Sequence, residues 1–140
     1  MVIVLDTNVL VGALLSPSGA NREIVRLCLR GQLKPQIGTA LFLEYEDVLA
    51  REHFLEKCYL DRMEREEFLN GFLSVCAWNN LYFSWRPNLK DEGDNHLIEL
   101  AVASGAVAII TNNIRDFRNP DLKFEQLEIM TPAEVLEELK

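Results

Sequence analysis

A chain of 140 residues is long enough for one domain with a substantial core. Its composition, 49% hydrophobic and 26% charged, is typical of a globular protein, and no apolar run approaches the length that crosses a membrane. The net charge of −8 excludes bulk attraction to nucleic acid, so a phosphate-bearing ligand would need a local basic patch or metal ions.

The N-terminus and the cysteines bear on the compartment. Met1 leads directly into an apolar strand pattern, without the basic segment of a secretory signal. The three cysteines, Cys28, Cys58 and Cys76, are odd in number and scattered through helical patterns. We therefore expect reduced thiols, with neither a disulfide framework nor a zinc site, in a cytoplasmic protein.

The first element is an apolar, largely β-branched run, Val2–Leu5, which predicts a buried strand. Asp6, Thr7 and Asn8 follow it, and residues 9–15 have helical spacing. Open α/β sheets bind their ligands at the carboxyl ends of such strands. A residue such as Asp6 or Asn8 can equally be a simple helix cap, and the strand alone does not decide between the two roles.

A second helix is predicted over residues 20–29, where three arginines lie four residues apart on one side. This basic stripe, Arg22, Arg26 and Arg30, fits either a solvated face or a ridge that contacts phosphates. Gly31 ends the helix, and residues 34–38 form a short, weak strand.

The next helix, over residues 40–51 with Thr39 as its N-cap, contains an acid in an unusual position. Leu41, Tyr45 and Val48 form its apolar stripe, and Glu44 lies only about 40° from Val48 on the helical wheel. A carboxylate at the edge of a core needs a partner. That partner is either an Arg or Lys in a salt bridge, or a metal ion in a catalytic site.

A long helix is predicted over residues 56–77, with residues 64–67 as its charged outer face and a third strand at residues 81–85. The aromatic side chains Trp78, Phe83 and Trp85 are expected in the core; the alternative is that they form a dimer surface. The core candidates of the helix are Leu60, Met63, Phe68, Phe72 and Val75.

A cluster of three acids precedes the next helix. Asp91, Glu92 and Asp94 lie within four residues, immediately before a helical pattern over Asn95–Ser104. Capping explains one Asp, but close carboxylates raise one another's pKa unless a cation lies among them. A second fully apolar strand follows at residues 106–111 and ends in the polar residues 112–117. A short strand at 127–130 and a capping box, Thr131 to Glu134, then open a C-terminal helix.

Alternating strands and helices predict a three-layer α/β/α sandwich, formed as one domain around a mainly parallel, twisted sheet. The carboxyl ends of parallel strands share one edge, so Asp6, Glu44, Asp94 and the 112–116 loop are expected to converge there. Two carboxylates about 4 Å apart repel by roughly 4 kcal/mol at an effective dielectric of 20. Their convergence therefore predicts oxygen coordination of Mg²⁺ or Mn²⁺.

Four stretches, taken together, resemble the motifs of PIN-domain ribonucleases, in the same order and at similar spacing. They are Leu-Asp-Thr-Asn at 5–8, Leu-Glu-Tyr with Asp-Val-Leu at 43–49, Asp-Asn-His-Leu-Ile with Ala101 at 94–101, and Thr-Asn-Asn-Ile-Arg-Asp-Phe at 111–117. The likeness covers nearly the whole chain. Within the family, the chain most resembles the toxin components of VapBC-like toxin–antitoxin systems.

The resemblance implies a metal-dependent endoribonuclease that leaves 5′-phosphate and 3′-hydroxyl ends. Asp6 and Asp94 would be the main ligands of one or two Mg²⁺ or Mn²⁺ ions, with Glu44 completing the site directly or through water. Asn113 stands where some members have Asp, so Asp116 is a candidate fourth acid. Supporting roles are expected for Thr7, Asn8, Asp91, Thr111 and Asn113, and RNA contacts for Arg22, Arg26, Arg30, Arg115 and Arg118. A cognate antitoxin and a homodimer are the expected partners.

Two alternatives compete with this hypothesis. One is a PIN-fold binding module or scaffold with little or no nuclease activity, which the acidic net charge and Asn113 both allow. The other is a phosphotransfer enzyme or a receiver domain. A dehalogenase-like phosphatase would require an acid at Asn8, and a receiver domain would require a lysine where Thr131 stands, so the sequence disfavours this class.

Overall fold

The computed structural model describes residues 1–51, 56, 58–80, 95–117 and 126–140, without the side chains of residues 95 and 116. The strands are β1 (Val2–Leu5), β2 (Lys34–Ile37), β3 (Ala77–Trp78), β4 (Ala108–Ile110) and β5 (Glu128–Met130). The helices are α1 (Thr7–Leu15), α2 (Ala20–Leu29), α3 (Thr39–Leu49), α4 (Arg62–Ser74), α5 (Asn95–Ser104) and α6 (Pro132–Glu138), with a short 3₁₀ helix at Ile114–Phe117.

The five strands form one sheet in the order β3-β2-β1-β4-β5, and every pair is parallel. The central pair, β1 and β4, is in register from Ile3 opposite Ala108 to Leu5 opposite Ile110. Both strands are completely or almost completely buried over these residues, as expected for apolar runs covered on both faces. Their carboxyl ends therefore lie side by side, which the sequence predicted.

Helices cover the sheet in the three-layer α/β/α arrangement, which confirms the predicted fold class. Helix α5 packs on β1, β2 and β4, while α2 packs against α1, α4 and α6. Helix α3 contacts both α1 and α5. This position of α3 places one of its acids, Glu44, in contact with both α1 and α5. In the parts of the chain that the structure describes, every helix is too short or too polar to cross a lipid bilayer.

Helix α4 differs from its prediction because local capping chemistry sets its start. The side chain of Asp61 accepts a hydrogen bond from the Glu64 backbone N–H, and Glu64 accepts one from the Asp61 N–H in return. This capping box starts the helix at Arg62 rather than near residue 56. The helix ends at Ser74, earlier than predicted. Ala77, the predicted last residue of the helix, instead begins strand β3.

Several burial predictions around α4 are wrong. Met63 is 70% exposed and is not a core residue, whereas Arg65, assigned to the charged outer face, is 8% exposed. Trp78 is 51% exposed on β3, with its ring edge-on to Phe42. Gly38, not Thr39, is the N-cap of α3. The predicted third strand at residues 81–85, with Phe83 and Trp85, lies outside the described residues.

Candidate active site

The acid that follows β1 is buried and held by two side-chain donors. The Thr111 hydroxyl donates to Asp6 Oδ2 at 2.7 Å, and Asn8 Nδ2 donates to the same oxygen at 3.3 Å. The backbone fixes Asp6 as well, because its N–H donates to the Ile110 carbonyl at 2.9 Å. Asp6 occupies the N-cap position of α1, but its side chain makes no capping hydrogen bond, so capping does not account for the buried carboxylate.

The turn after β4 is joined to the turn after β1 through Asn8. Asn8 Oδ1 accepts from the Asn112 N–H at 3.1 Å, and Asn8 Nδ2 lies 3.4 Å from Thr111 Oγ1. Thr111 Oγ1 accepts from the Asn113 N–H at 3.0 Å. Thr111 and Asn8 thus fix the geometry of this edge of the sheet.

The second acid reaches the same edge from α3. Thr7 donates its hydroxyl hydrogen to Glu44 Oε1 at 2.7 Å, and His96 Nε2 lies 2.6 Å from Glu44 Oε2. Glu44 is half-buried, and among the described residues its charged partner is a histidine rather than the Arg or Lys considered from the sequence. Sequence reasoning missed His96. The available signal was a polar side chain two residues after Asp94, in a helix with a small, apolar buried face.

A buried tyrosine next to Glu44 anchors α3 to the end of β1. The Tyr45 hydroxyl donates to the Leu5 carbonyl at 2.5 Å, one residue before Asp6. The Tyr45 ring also packs edge-on against Phe72 of α4. Burial raises the pKa of Tyr45 well above its ordinary value, so the hydroxyl remains a donor. Glu44 and Asp6 are therefore carried by backbone segments that are themselves tied together.

The electrostatics of the two acids differ. Burial raises the pKa of Asp6, and the charge of Glu44 raises it further, against the lowering effect of the Thr111 hydrogen bond. Burial also acts to raise the pKa of Glu44. There, however, the hydrogen bonds from His96 and Thr7 prevail, and its pKa is lowered. A cation at this edge would stabilise the charged form of Asp6 that burial disfavours.

The oxygen ligands available at this carboxyl edge of the sheet suit a hard divalent cation. Asp6 and Glu44 offer carboxylate oxygens, and the two side-chain hydrogen bonds that described residues make to Asp6 go to Oδ2, not to Oδ1. Asp91 and Asp94, which the sequence placed here, lie outside the described residues. Asp116 belongs to the 3₁₀ helix, and its side chain is not described. Over the described positions, no group of three His, Cys, Asp or Glu side chains comes together as a metal site.

A family model described as PIN domain matches residues 2–115 of this sequence. The chain belongs to the PIN domain family. Its structure is also similar to a chain in the crystal structure of VapBC2 from Rickettsia felis bound to a DNA fragment from their promoter. The TM-score is 0.62 at 18% identity, over 94% of this chain and 98% of that chain. A comparison with curated proteins gave no match.

One departure of this PIN domain concerns the turn after β4. Asn113 is exposed, and its backbone N–H is bound to Thr111 Oγ1. Its neighbour Asn112 donates from Nδ2 to Asn21 Oδ1 at 3.0 Å, which ties this turn to the first turn of α2. Amide side chains therefore occupy the position where the resemblance implied a further acid.

The arginines of the PIN domain do not form one free stripe. The Arg22 guanidinium lies 5.0 Å from the centre of the Phe68 ring and donates to the Tyr59 hydroxyl. Arg26 and Arg30 are exposed and lie 3.3 and 3.8 Å from oxygens of Glu23. Arg115 is exposed beside the site, and Arg118 lies outside the described residues.

Proposed function

We propose that this PIN domain is a metal-dependent endoribonuclease, and that it acts as the toxin of a toxin–antitoxin pair. One observation supports the proposal most strongly. Two acids from separate elements, Asp6 and Glu44, meet at the carboxyl edge of the sheet, each held by side-chain donors that leave other oxygen lone pairs available. Burial and the neighbouring charge of Glu44 disfavour the ionised form of Asp6, and carboxylates with pKa values perturbed in this way are concentrated at functional sites.

In the proposed site, Asp6, Glu44 and Asp94 would hold Mg²⁺ or Mn²⁺. One or two bound ions would lower the pKa of a water and neutralise charge on the phosphodiester. Thr111 and Asn8 fix Asp6 Oδ2, and Thr7 fixes one oxygen of Glu44. Asp116, or the amide oxygen of Asn113, is the proposed fourth group, and Asp91 a supporting acid.

RNA contacts are proposed for arginines near this edge. Arg115 is in the 3₁₀ helix that follows the turn after β4, and Arg22 is in the first turn of α2, which Asn21 ties to Asn112. Arg26 and Arg30 lie about 6 and 12 Å further along α2, at a rise of about 1.5 Å per residue. We therefore expect Arg115 to contribute more than Arg30 to RNA affinity and to its salt dependence. Arg118 is proposed from the sequence alone.

The toxin role would give this protein a protein partner. The structurally similar chain comes from a complex named VapBC2 that was crystallised with promoter DNA. By analogy, we propose an antitoxin that binds this PIN domain in the cytoplasm, and a homodimer as the functional unit. Co-expression with the gene adjacent to this one in its genome, followed by co-purification, would test the pairing.

The experiment for the catalytic proposal uses a structured RNA pool and the purified protein, with Mg²⁺, with Mn²⁺ and with chelator. Glu44→Gln removes the charge of the candidate ligand. Its matched control is Glu46→Gln, because Glu46 is an exposed acid on the same helix, away from the site. We expect cleavage that requires metal, persists in Glu46→Gln and falls at least about a hundredfold in Glu44→Gln, above the usual cost of losing a ligand's supporting partner.

The same preparations separate the proposal from the scaffold alternative. Circular dichroism first establishes that each variant is folded. Metal-dependent stabilisation that Glu44→Gln removes, without cleavage of any RNA in the pool, would favour a PIN-fold module that binds metal but is not a nuclease. An absence of both cleavage and metal response would contradict the metal site itself.

A further inference from the structure

Glu44 is held on both of its carboxylate oxygens, from two different helices. Thr7, the first residue of α1, donates to Oε1 at 2.7 Å, and His96 of α5 approaches Oε2 at 2.6 Å. A single donor to one oxygen leaves the carboxylate free to turn, because the terminal torsion of a glutamate is broad. Donors on both oxygens fix the plane of the carboxylate and hence the direction of its remaining lone pairs.

Within the described part of the chain, the hydrogen bond to Glu44 is the contact that orients the ring of His96. The side chain is only 18% exposed. Its other nitrogen, Nδ1, is buried and has no hydrogen-bond partner in the part of the chain that the structure describes. Because a carboxylate only accepts hydrogen bonds, Nε2 carries the hydrogen in this pair. Among the described residues, His96 therefore makes its side-chain hydrogen bond to Glu44 alone, through Nε2, and this bond fixes the position of the Glu44 carboxylate.

We propose that His96 is a positioning residue, which holds the Glu44 carboxylate in the orientation that receives the divalent cation. The inference rests on the proposed function and extends it by one residue. Groups that support a ligand in this way are worth about 10- to 100-fold in metal affinity. His96 would act through Glu44, without touching the RNA.

The test measures Mn²⁺ binding alone, by calorimetry and by thermal shift, at a single near-neutral pH. His96→Leu removes the donor and fills much of the space. His96→Gln keeps a donor, and Ser104→Ala at the other end of α5 is the control. We expect Mn²⁺ affinity to fall at least about tenfold in His96→Leu. Most of the affinity should be retained in His96→Gln, and all of it in Ser104→Ala.

Glu44→Gln, alone and combined with His96→Leu, shows whether the histidine acts through the acid. We expect the double variant to bind Mn²⁺ no more weakly than Glu44→Gln. We also expect RNA cleavage by His96→Leu to recover at saturating Mn²⁺, with an unchanged KM for RNA. Additive losses, or normal Mn²⁺ affinity in His96→Leu, would overturn the role of His96 while leaving the nuclease proposal intact. If the unaltered protein binds no Mn²⁺, the proposed function fails, and the role of His96 fails with it.

Discussion

Thr111 donates its hydroxyl hydrogen to Asp6 Oδ2 at 2.7 Å, across 105 positions of sequence. The two residues meet because Leu5 and Ile110, which precede them, are register partners in neighbouring parallel strands. The register of the central strand pair therefore sets the geometry of the candidate site. A slip of one residue would remove the contact and turn every side chain of the strand to the other face.

Thr111→Val is expected to lower the free energy of unfolding by about 1.5–3 kcal/mol. The substitution keeps the shape of the completely buried side chain but removes the donor to a buried carboxylate and the acceptor of the Asn113 N–H. Urea denaturation in chelator measures the loss. Thr111→Ser, which retains the hydroxyl but lacks the methyl group, should lose less. A Thr111→Val variant as stable as the unaltered protein would show that the hydrogen bonds of the Thr111 hydroxyl contribute nothing.

Asp6→Asn is expected to stabilise the metal-free protein at neutral pH. Burial raises the pKa of Asp6 above 3.8, so its ionised form costs stability that a neutral amide does not. The amide oxygen that replaces the carboxylate can still accept the hydrogen bonds from Thr111 and Asn8. Melting temperatures in chelator, compared across pH, measure the effect.

The sign of that pH dependence follows from the direction of the shift. Below pH 3.8 the carboxyl of Asp6 is neutral in both the folded and the unfolded chain, so its contribution does not change with pH. As pH rises through the raised pKa of the folded state, the unaltered protein loses stability relative to Asp6→Asn. A difference in melting temperature that shrinks with rising pH would contradict the burial argument.

The buried strands and the meeting of their carboxyl ends could be predicted because continuous apolar runs admit few alternatives. β1 and β4 carry almost no polar side chain, and such strands are typical of a parallel sheet that helices cover on both faces. The same logic brought Asp6 and Thr111 to one edge. Glu44 was identified from the helical wheel because its angular position depends only on a regular helix around it.

The errors lie where capping hydrogen bonds or tertiary contacts, which the apolar spacing does not reveal, decide the position of a side chain. Met63 has a core spacing, but the capping box at Asp61 sets the start of α4, and Met63 is exposed. Arg65 is polar in sequence, but its Nη1 donates to the Leu60 carbonyl and it is buried. His96 could not be paired with Glu44 from the sequence, since their contact depends on the placement of α5 beside α3. A helical wheel gives the direction of a side chain, and only the packing gives its partner.

Cys28 and Cys76 are expected to resist alkylation in the folded protein at neutral pH. Burial raises the pKa of each thiol to about 12, and the thiolate is the nucleophile. Mass spectrometry after brief iodoacetamide treatment, with and without urea, measures the modification at each position. The labelling of both residues should rise on unfolding, and rapid native labelling of Cys76 would show that its half-buried thiol is more open to solvent than this structure gives.

Arg22, in the first turn of α2, and Arg30, its C-cap, are expected to differ in their effect on stability. Arg22 stacks on Phe68 and donates to the Tyr59 hydroxyl, so Arg22→Ala should cost about 1 kcal/mol. Arg30 makes a long, exposed ion pair with Glu23, and Arg30→Ala should change stability by less than about 0.5 kcal/mol. Urea denaturation of the two variants compares them. Equal costs would mean that the stacking of Arg22 contributes nothing in solution.

The effects of Gly12→Ala and Asn21→Ala on the free energy of unfolding are expected to be coupled by about 1 kcal/mol or more. The reason is that a Cβ at position 12 would displace the Asn21 amide. This Cβ would lie 2.2 Å from Asn21 Nδ2 and 2.8 Å from its Cγ. The movement breaks the hydrogen bond from Asn112 Nδ2 to Asn21 Oδ1, which joins α2 to the turn after β4. Alanine would otherwise stabilise α1 by up to about 1 kcal/mol over glycine.

A double-mutant cycle of Gly12→Ala and Asn21→Ala measures this coupling through urea denaturation. In the Asn21→Ala background the new methyl group has room, so Gly12→Ala should stabilise the protein. In the unaltered background it should stabilise less, or destabilise. Additive effects would mean that Asn21 moves aside at no cost, and that the contact of Asn21 with Asn112 does not hold α2 against the candidate site.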